Sequence, residues 1–438
     1  MVRKFIDWAL ANPLLVLLAT VALAVGGGYA FTHVNIEAYP DPAQAIIEVV
    51  AQYPGASAEE VERQVTIPIE VALAGMPGLE TTRSKSLFGL SHIRNQFGYA
   101  RDYDQAKQDV LNRLASVNLP AGVNPVISPA SPIGEIVRYT LVSDVDPASG
   151  KPYYTLSDLK SIQDFIIQRE LLRVPRIAGV TGVGGTAKRY EVQPDPVLLR
   201  KHCVTLAQLQ TALGNSNTNG SGDNLTQGQL SIVVRSLGLF GNGQDPQQAT
   251  LAMHDPAAAA ESLRSEELRR CVEIRQVVAA SVNNVPVRVD QLVDGGSALN
   301  ADGTPNWSDA DLAKKGVVIS HQTRQGRVAI SRPRNDSDGK QLRGPDGAYL
   351  WDDDDVVQGI VLLRKGQESM PALRDVKAKI DELNSPGHLP PGVKIAVFYN
   401  RTDLINKTTE TVNENLLVGM GLVGAILLLF LGGTSGPP

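Results

Sequence analysis

The sequence predicts an α+β membrane protein: two transmembrane helices flank two ferredoxin-like (βαββαβ) units, the second carrying a β-rich insertion. Three observations lead there. Residues 14–31 and 416–433 are uncharged apolar runs of 18 residues, one near each end of a 438-residue chain. Between them, β-rich runs and runs with helical spacing follow one another twice in the order β-α-β-β-α-β, a split βαβ unit. From about residue 190 to 355 the second unit is interrupted by a stretch rich in Gly, Asn, Asp and Gln.

A helix of 18 residues rises about 27 Å, just enough for a hydrocarbon layer of roughly 30 Å. It also satisfies its own backbone N–H and C=O groups where no water is present. Asn12-Pro13 supplies an N-cap and first-turn proline for the first segment. Arg3 and Lys4 on its N-terminal side place that end in the cytoplasm, so residues 32–415 lie outside it. A cleaved signal peptide is the competing reading of the first run, and a buried helix of a soluble core that of the second. Ala22 with Gly26, and Ala24 with Gly28, stand at the four-residue spacing that admits a close helix neighbour.

The first unit opens with a strand at 45–52 (AIIEVVAQ) ending in the turn Tyr53-Pro54-Gly55-Ala56. Ser57 and Glu60 form a capping box, and Val61, Val65, Pro68 and Ala72 share one face of the helix that follows. Pro68 is expected to kink that helix, and Gly75 with Pro77-Gly78 to end it. Strands at 79–87 and 91–97 flank Gly89; Asp104 is expected to cap a helix carrying Ala106, Val110, Leu114 and Val117; a strand near 123–127 closes the unit. The second unit starts with a strand at 136–143, a helix from 155 to about 172 and a strand near 180–185. Its other half comes after the insertion: a strand at 359–364, a helix carrying Leu373, Val376, Ile380 and Leu383, and a strand at 394–399. β-like runs at 230–234, 285–289, 316–320 and 327–331 predict a small β-rich subdomain with long projecting loops.

Composition narrows the function. Lys and Arg total 41 against 46 Asp and Glu, a net charge of −5, which argues against a nucleic-acid partner. With 43% hydrophobic residues the chain can build real cores. No GxSxG or other hydrolase signature occurs, and Gly179, Gly182, Gly184 and Gly185 do not fit a dinucleotide loop; neither an enzyme nor a bound cofactor is expected. The six histidines show no i, i+3 or i+4 pair, which leaves His202-Cys203 as the adjacent soft pair, a candidate metal ligand or simply a helix boundary. The acidic run 352–355 reads as a solvated loop, since it lacks the glycine and distal glutamate of a calcium loop. Whether Cys203 and Cys271 are bonded stays open. The Gly/Asn/Ser-rich segment 214–228 is either a projecting arm or a surface loop.

A series of blocks in fixed order then becomes informative. It comprises YPGASAEEVE (53–62), VTIPIE (65–70), GMPG (75–78), RSKS (83–86), GLS (89–91), GVGG (182–185) with YEV (190–192), VTLAQ (204–208), LRKG (363–366), LPPGVK (389–394) and FYNRT (398–402). In these the chain resembles the N-terminal part of resistance–nodulation–division (RND) efflux permeases, nearest the heavy-metal cation branch. The resemblance implies a trimeric, proton-driven inner-membrane pump exporting metal cations, multi-pass with its bulk in the periplasm. Its partners would be the other protomers, the bilayer, a periplasmic adaptor and an outer-membrane channel.

It also implies a division of the chain. Residues 1–12 form a cytoplasmic N-terminus, 13–32 and 413–433 the transmembrane helices, and 33–132 a first porter subdomain. Residues 133–189 with 356–412 form a second porter subdomain, 190–355 an inserted docking subdomain, and 434–438 a tail. Glu135 resembles a position beside the substrate path, and Asn217, Asn219, Gly220 and Gly222 fall in an arm that contacts a neighbouring protomer. Such permeases are longer and carry acidic proton-relay residues in later helices. A C-terminally truncated chain is therefore expected not to pump alone. The alternative is a membrane-tethered extracytoplasmic binding or assembly module without transport activity.

Overall fold

The computed structural model describes residues 8–9, 11–32, 44–128, 134–227, 230–300, 302–306, 310–322, 324, 326–333, 340–344 and 347–432. Two compact units emerge, residues 1–133 with 366–371 and 400–438, and residues 134–365 with 372–399.

The first unit begins with helix α1 (Pro13–Thr32), uncharged throughout and exposed over its apolar length. The Asn12 carbonyl accepts from Leu15 and Val16 as a cap residue's should, but its side-chain amide donates back to the Trp8 carbonyl at 3.0 Å instead of capping. β1 (Ile46–Gln52) alternates, turning Ile47, Val49 and Ala51 inward. Helix α2 (58–73) starts at the Ser57–Glu60 capping box, with both reciprocal bonds made (3.3 and 2.8 Å), a device worth about 1 kcal/mol. The kink expected at Pro68 takes the form of a π turn over Glu62–Thr66, where the Ile67 N–H donates to Glu62. A proline N cannot donate to the carbonyl four residues back, and the wider turn accommodates that carbonyl and the ring.

β2 (Leu79–Leu87) and β3 (Leu90–Phe97) make a hairpin, and α3 (Tyr103–Leu114) leads to β4 (Pro125–Ser128). The cap of α3 is Asp102, which accepts from the Asp104 and Gln105 N–H groups; Asp104, expected as the cap, sits in the first turn beside the positive helix end. Val117, expected on this helix, lies beyond its end yet still packs on the core. The sheet runs β2-β3-β1-β4, all antiparallel, with β2 a polar, charged edge. Val61, Val65, Ile69 and Leu73 of α2 and Ala106, Val110 and Leu114 of α3 meet Ile47, Val49, Ile93 and Phe97 in one core.

The second unit repeats the topology. β5 (Glu135–Ser143), helix α4 (156–172, again with a π turn, Gln163–Ile167) and β6 (Ile177–Val183) form its first half. The chain then leaves the sheet through β7 (Lys188–Val192), α5 (Pro196–Lys201), α6 (Leu206–Ser216), β8 (Gly220–Gln227), β9 (Leu230–Ser236), α7 (Pro246–Thr250) and α8 (Pro256–Gln276). After these come β10 (Val278–Val282), β11 (Val285–Arg288), β12 (Val317–His321), β13 (Ala329–Pro333) and β14 (Trp351–Asp355). It re-enters as β15 (Gln358–Leu363), α9 (Ser369–Leu383) and β16 (Val393–Asn400), giving the sheet order β16-β5-β15-β6. Both sheets therefore place the fourth strand of their unit beside the first and the third beside the second, the split βαβ arrangement.

Strands of the inserted lobe form two-stranded ladders, β7 with β12, β8 with β9, β10 with β11 and β13 with β14. It is less purely β than expected, because the 21-residue α8, capped by Asp255 with Pro256 at its first position, runs through it. The acidic run 352–355 is no loop either: it lies in β14, where Asp355 is clasped by Arg324. Near the end of α8 the fully buried Arg275 donates to the carbonyls of Asp294 (2.9 Å), Gly296 (3.1 Å), Leu312 (3.1 Å) and Lys315, tying two loops together. Helix α10 (Arg401–Gly432) follows, its start capped by Asn400 (2.9 Å to the Thr402 N–H). α1 and α10 are the two described helices long and apolar enough to cross a membrane.

Candidate functional site

Glu135 opens β5, and its carboxylate accepts from the Arg138 guanidinium, with Nε at 2.8 Å. Residues i and i+3 of a strand point to opposite faces in an ideal pleat, but the register shift opposite Val361 and Leu362 turns Glu135 toward Arg138. The carboxylate is thus engaged and largely shielded (18% exposed).

His202 and Cys203 end α5 in a Schellman turn. The Cys203 N–H donates to Arg200 and the Val204 N–H to Leu199, with Cys203 left-handed (φ 52°) in the place glycine usually takes. Among the described residues no group of three or more His, Cys, Asp or Glu stands close enough to hold a metal ion. The geometry fits the helix-boundary reading of the pair. Cys203 is exposed and Cys271 buried, both as free thiols, and burial raises the Cys271 thiol to about 12.

The segment 214–228 is ordered structure over its described residues: the end of α6 and the strand β8. Asn217 and Asn219 are exposed, and their side-chain oxygens serve the base of the hairpin. Asn219 Oδ1 accepts from the Gly238 and Leu239 N–H groups (3.1 and 3.4 Å), and Asn217 Oδ1 from Phe240 (3.2 Å). The Gly241 N–H goes to Glu273 of α8 at 2.7 Å. Four consecutive backbone donors are thereby held by side chains at the base of the β8–β9 hairpin. Gly220 and Gly222 lie on β8, and farther along Leu225, Leu230, Ile232 and Val233 are exposed.

One site has no local sequence signal. A cleft of about 230 Å³ separates the start of α4 from the lobe, lined among others by Tyr153, Tyr154, Lys188, Leu263, Arg264 and His321. The Lys188 ammonium is gripped by Asp158 of α4 and Glu267 of α8. Burial pushes its pKa down, but the two carboxylates push harder and it ends above the ordinary lysine range. Burial and then Asp158 raise the Tyr154 phenol to about 12; its O–H donates to the Pro391 carbonyl at 3.0 Å. Asp158 and Glu267 stand 30 and 79 positions from Lys188, too far for any spacing rule to connect.

Comparison with known proteins gives the wider frame. The sequence model of the AcrB/AcrD/AcrF family matches residues 5–264 and 337–435. The chain belongs to this family. The RND resemblance read from the sequence blocks is thereby borne out. HelA of Legionella pneumophila is 31% identical over 99% of the chain, which spans 34% of that protein. The cobalt-zinc-cadmium resistance protein CzcA of Cupriavidus metallidurans is 30% identical over 99%, again 34% of its length. The cation efflux system protein CusA of Escherichia coli K12 is 29% identical over 98% and 34%. Among solved structures, a heavy metal efflux pump (crystal form II) superposes with a TM-score of 0.71 at 29% identity, covering 98% of this chain and 35% of that one. The chain spans about a third of the length of these relatives. Residues 265–336, which include Arg275 and the C-terminal part of α8, lie outside the family match.

Proposed function

We propose that the chain is the N-terminal portion of a proton-driven RND permease exporting metal cations, seated in the inner membrane with its bulk in the periplasm. One observation carries this: 98% of the chain superposes, in order, on 35% of a solved heavy-metal efflux pump. In this reading the sheet of 33–132 is the first porter subdomain and that of 133–189 with 356–412 the second. Residues 190–355 are the docking subdomain toward the adaptor and outer-membrane channel. Glu135, held by Arg138, stands beside the cation path. The β8–β9 hairpin, fastened at Asn217 and Asn219 and exposing Leu225, Leu230, Ile232 and Val233, reaches a neighbouring protomer of a trimer.

Expressed alone, residues 1–438 do not transport. Proton coupling needs ionisable groups inside the membrane bundle, and neither 416–433 nor 14–31 contains one. In a zinc- and cobalt-sensitive host this chain is expected to give no gain in metal tolerance, and to give one when co-expressed with the remaining two-thirds of a CzcA-type permease. Tolerance conferred by the chain alone overturns the incapacity. No gain in either arm returns the assignment to a membrane-tethered binding module.

A further inference from the structure

The inserted lobe joins the second sheet through two chain crossings, residues 184–187 between β6 and β7 and residues 356–357 between β14 and β15. At the first, Gly184 and Gly185 are left-handed in succession (φ 81° and 65°). A Cβ on Gly184 would collide with the Val356 carbonyl, and one on Gly185 would lie 2.8 Å from Val357 Cγ2. The two crossings thus pass backbone against backbone. They form a narrow waist whose first strand is the most torsionally permissive the chain can supply.

Beside this waist lies open space, the 230 Å³ cleft, with the sheet's α4 on one wall and the lobe's α8 on the other. Packing closes the seam at the start of α8, where a Cβ on Gly392 would lie 2.9 Å from Pro256 Cβ, and an ion triad spans the cleft beside it. Lys188 is the first residue of β7, just past the waist, and its ammonium meets Asp158 from the sheet side and Glu267 from the lobe side. The three side chains are 24%, 12% and 19% exposed, so salt screens their attraction poorly. Without the ammonium, two carboxylates would face each other across the cleft and repel. The other charged neighbours act within one wall: Lys160 pairs with Asp164 (2.7 Å) and Arg264 with Glu261 (3.7 Å). His321 lies opposite Lys188 in the β7–β12 ladder. A neutral bond beside the same seam runs between Ser157 Oγ and Thr186 Oγ1 (3.1 Å). Because the lysine already satisfies both carboxylates, the cleft offers no free acidic pair to a cation.

We propose that Lys188 is a latch: held between Asp158 and Glu267, it sets the angle of the inserted lobe on the second sheet about the Gly184–Gly185 waist. The cleft is the room in which that angle changes once the latch is released. This concerns the geometry of one polypeptide and stands apart from the transport reading.

The test measures that angle in the full chain in lipid nanodiscs. The exposed native Cys203 of the lobe and an introduced Asp381→Cys on α9 carry spin labels, while Cys271 is buried out of reach. Pulsed electron–electron resonance then gives their distance distribution. One narrow distance is expected, kept in Lys188→Arg. Lys188→Met is expected to raise a second, open population by about tenfold or more, the scale set by truncating one partner of a desolvated charge pair. A folded Lys188→Met with the unchanged narrow distance overturns the proposal. If Lys188→Met fails to fold, Glu267→Gln decides, since it keeps the Lys188–Asp158 pair: broadening supports the latch and an unchanged distance overturns it.

Discussion

In residues 44–128 the helices meet their sheet through apolar side chains, and the buried polar residues Thr66, Ser91 and Asn95 are bonded, while the Arg101 Nε at the edge of the core has no hydrogen-bond partner among the described residues. Thr66 bonds to Ser86 and Ser91 (2.8 Å each), and Asn95 accepts from Thr82 (3.0 Å). In the second unit the same helix–sheet interface holds Tyr139, whose O–H donates to Gln163 Oε1 (3.0 Å), while the buried Gln163 Nε2 has no partner among the described residues. Its inserted lobe adds the Lys188 triad and the buried Arg275. Both first helices carry a five-residue π turn, but only α2 has a proline beside it, so proline is not the common cause. What the π turns share is a buried polar side chain within the turn, Thr66 in one and Gln163 in the other. The difference teaches that an uninterrupted unit is held by apolar area. A unit split by a long insertion keeps an apolar core of its own, with Ile136, Ile162, Leu171, Val361 and Val376 fully buried, and adds a few polar groups where its pieces meet.

Alkaline pH tests this contrast most severely. Burial raises Tyr154 and Tyr190 to about 12 and Tyr139 further still, and lifts the Cys271 thiol to about 12. These groups are neutral when protonated and have folded values above their ordinary ones, about 10 for tyrosine and 8.5 for cysteine. Their stabilisation is complete below the ordinary values and disappears as pH climbs through the folded ones. Lys188 has the same sign: its attraction to Asp158 and Glu267 vanishes as pH climbs past the ordinary lysine range and the ammonium gives up its proton. In the first unit, burial raises Tyr103. Between about pH 9 and 12 the second unit is expected to open first, seen as proteolytic cleavage within 134–365 while 44–128 stays protected. Simultaneous cleavage of both would remove the distinction.

Gly359 is the next largest lever. In one row across the second sheet stand Tyr139, Gly359 and Gly182; the Tyr139 ring occupies the place a Gly359 Cβ would need, and a Cβ on Gly182 would lie 2.7 Å from the stem of Gln163. Gly359→Ala forces the ring aside and is expected to cost about 3 kcal/mol in urea unfolding, the upper range for overpacking. Pairing it with Tyr139→Ala should cost far less than the sum of the two single changes, because the ring is the obstacle. By contrast Ile47→Val, in the aliphatic core of the first sheet, costs about 1 kcal/mol.

How much of this is legible in the sequence follows from the range over which each interaction acts. Strand β1, the Ser57–Glu60 capping box and the hairpin around Gly89 rest on signals within a few residues, and the structure places them within a residue of expectation. The cap of α3 falls on Asp102 rather than the expected Asp104, because two aspartates two positions apart compete for one role and only backbone geometry chooses. Helix α8 escapes a periodicity search because its charged middle, ESLRSEELRR, lacks a clean apolar stripe; Leu263, Cys271, Val272 and Ile274 become buried only once the lobe folds around them. At the candidate sites, Glu135 is visible as a residue but its Arg138 partner is not, and Asn217 and Asn219 are visible as arm residues but their acceptor roles at the hairpin base are not. The Lys188 triad depends on approaches between segments far apart in sequence, and no periodicity encodes those.

The smallest effect discriminates best. Replacing Thr66 by Val removes a hydroxyl that both Ser86 and Ser91 use, leaving them unpaired beneath α2, and is expected to cost about 1 kcal/mol. The matching change in the second unit, Gln163→Met combined with Tyr139→Phe, removes both members of a half-satisfied pair at little change in volume. It is expected to be neutral or to stabilise by up to about 1 kcal/mol, since an unpaired buried amide is lost along with the bond. Opposite signs in parallel thermal melts would show that the first unit uses its buried polar group for stability. They would also show that the second keeps Gln163 despite a stability cost, leaving helix α4 free to hold its π turn for a reason other than packing. Equal losses in both would show instead that the Gln163 amide finds a partner in solution, such as a buried water, and that the two interfaces are energetically alike.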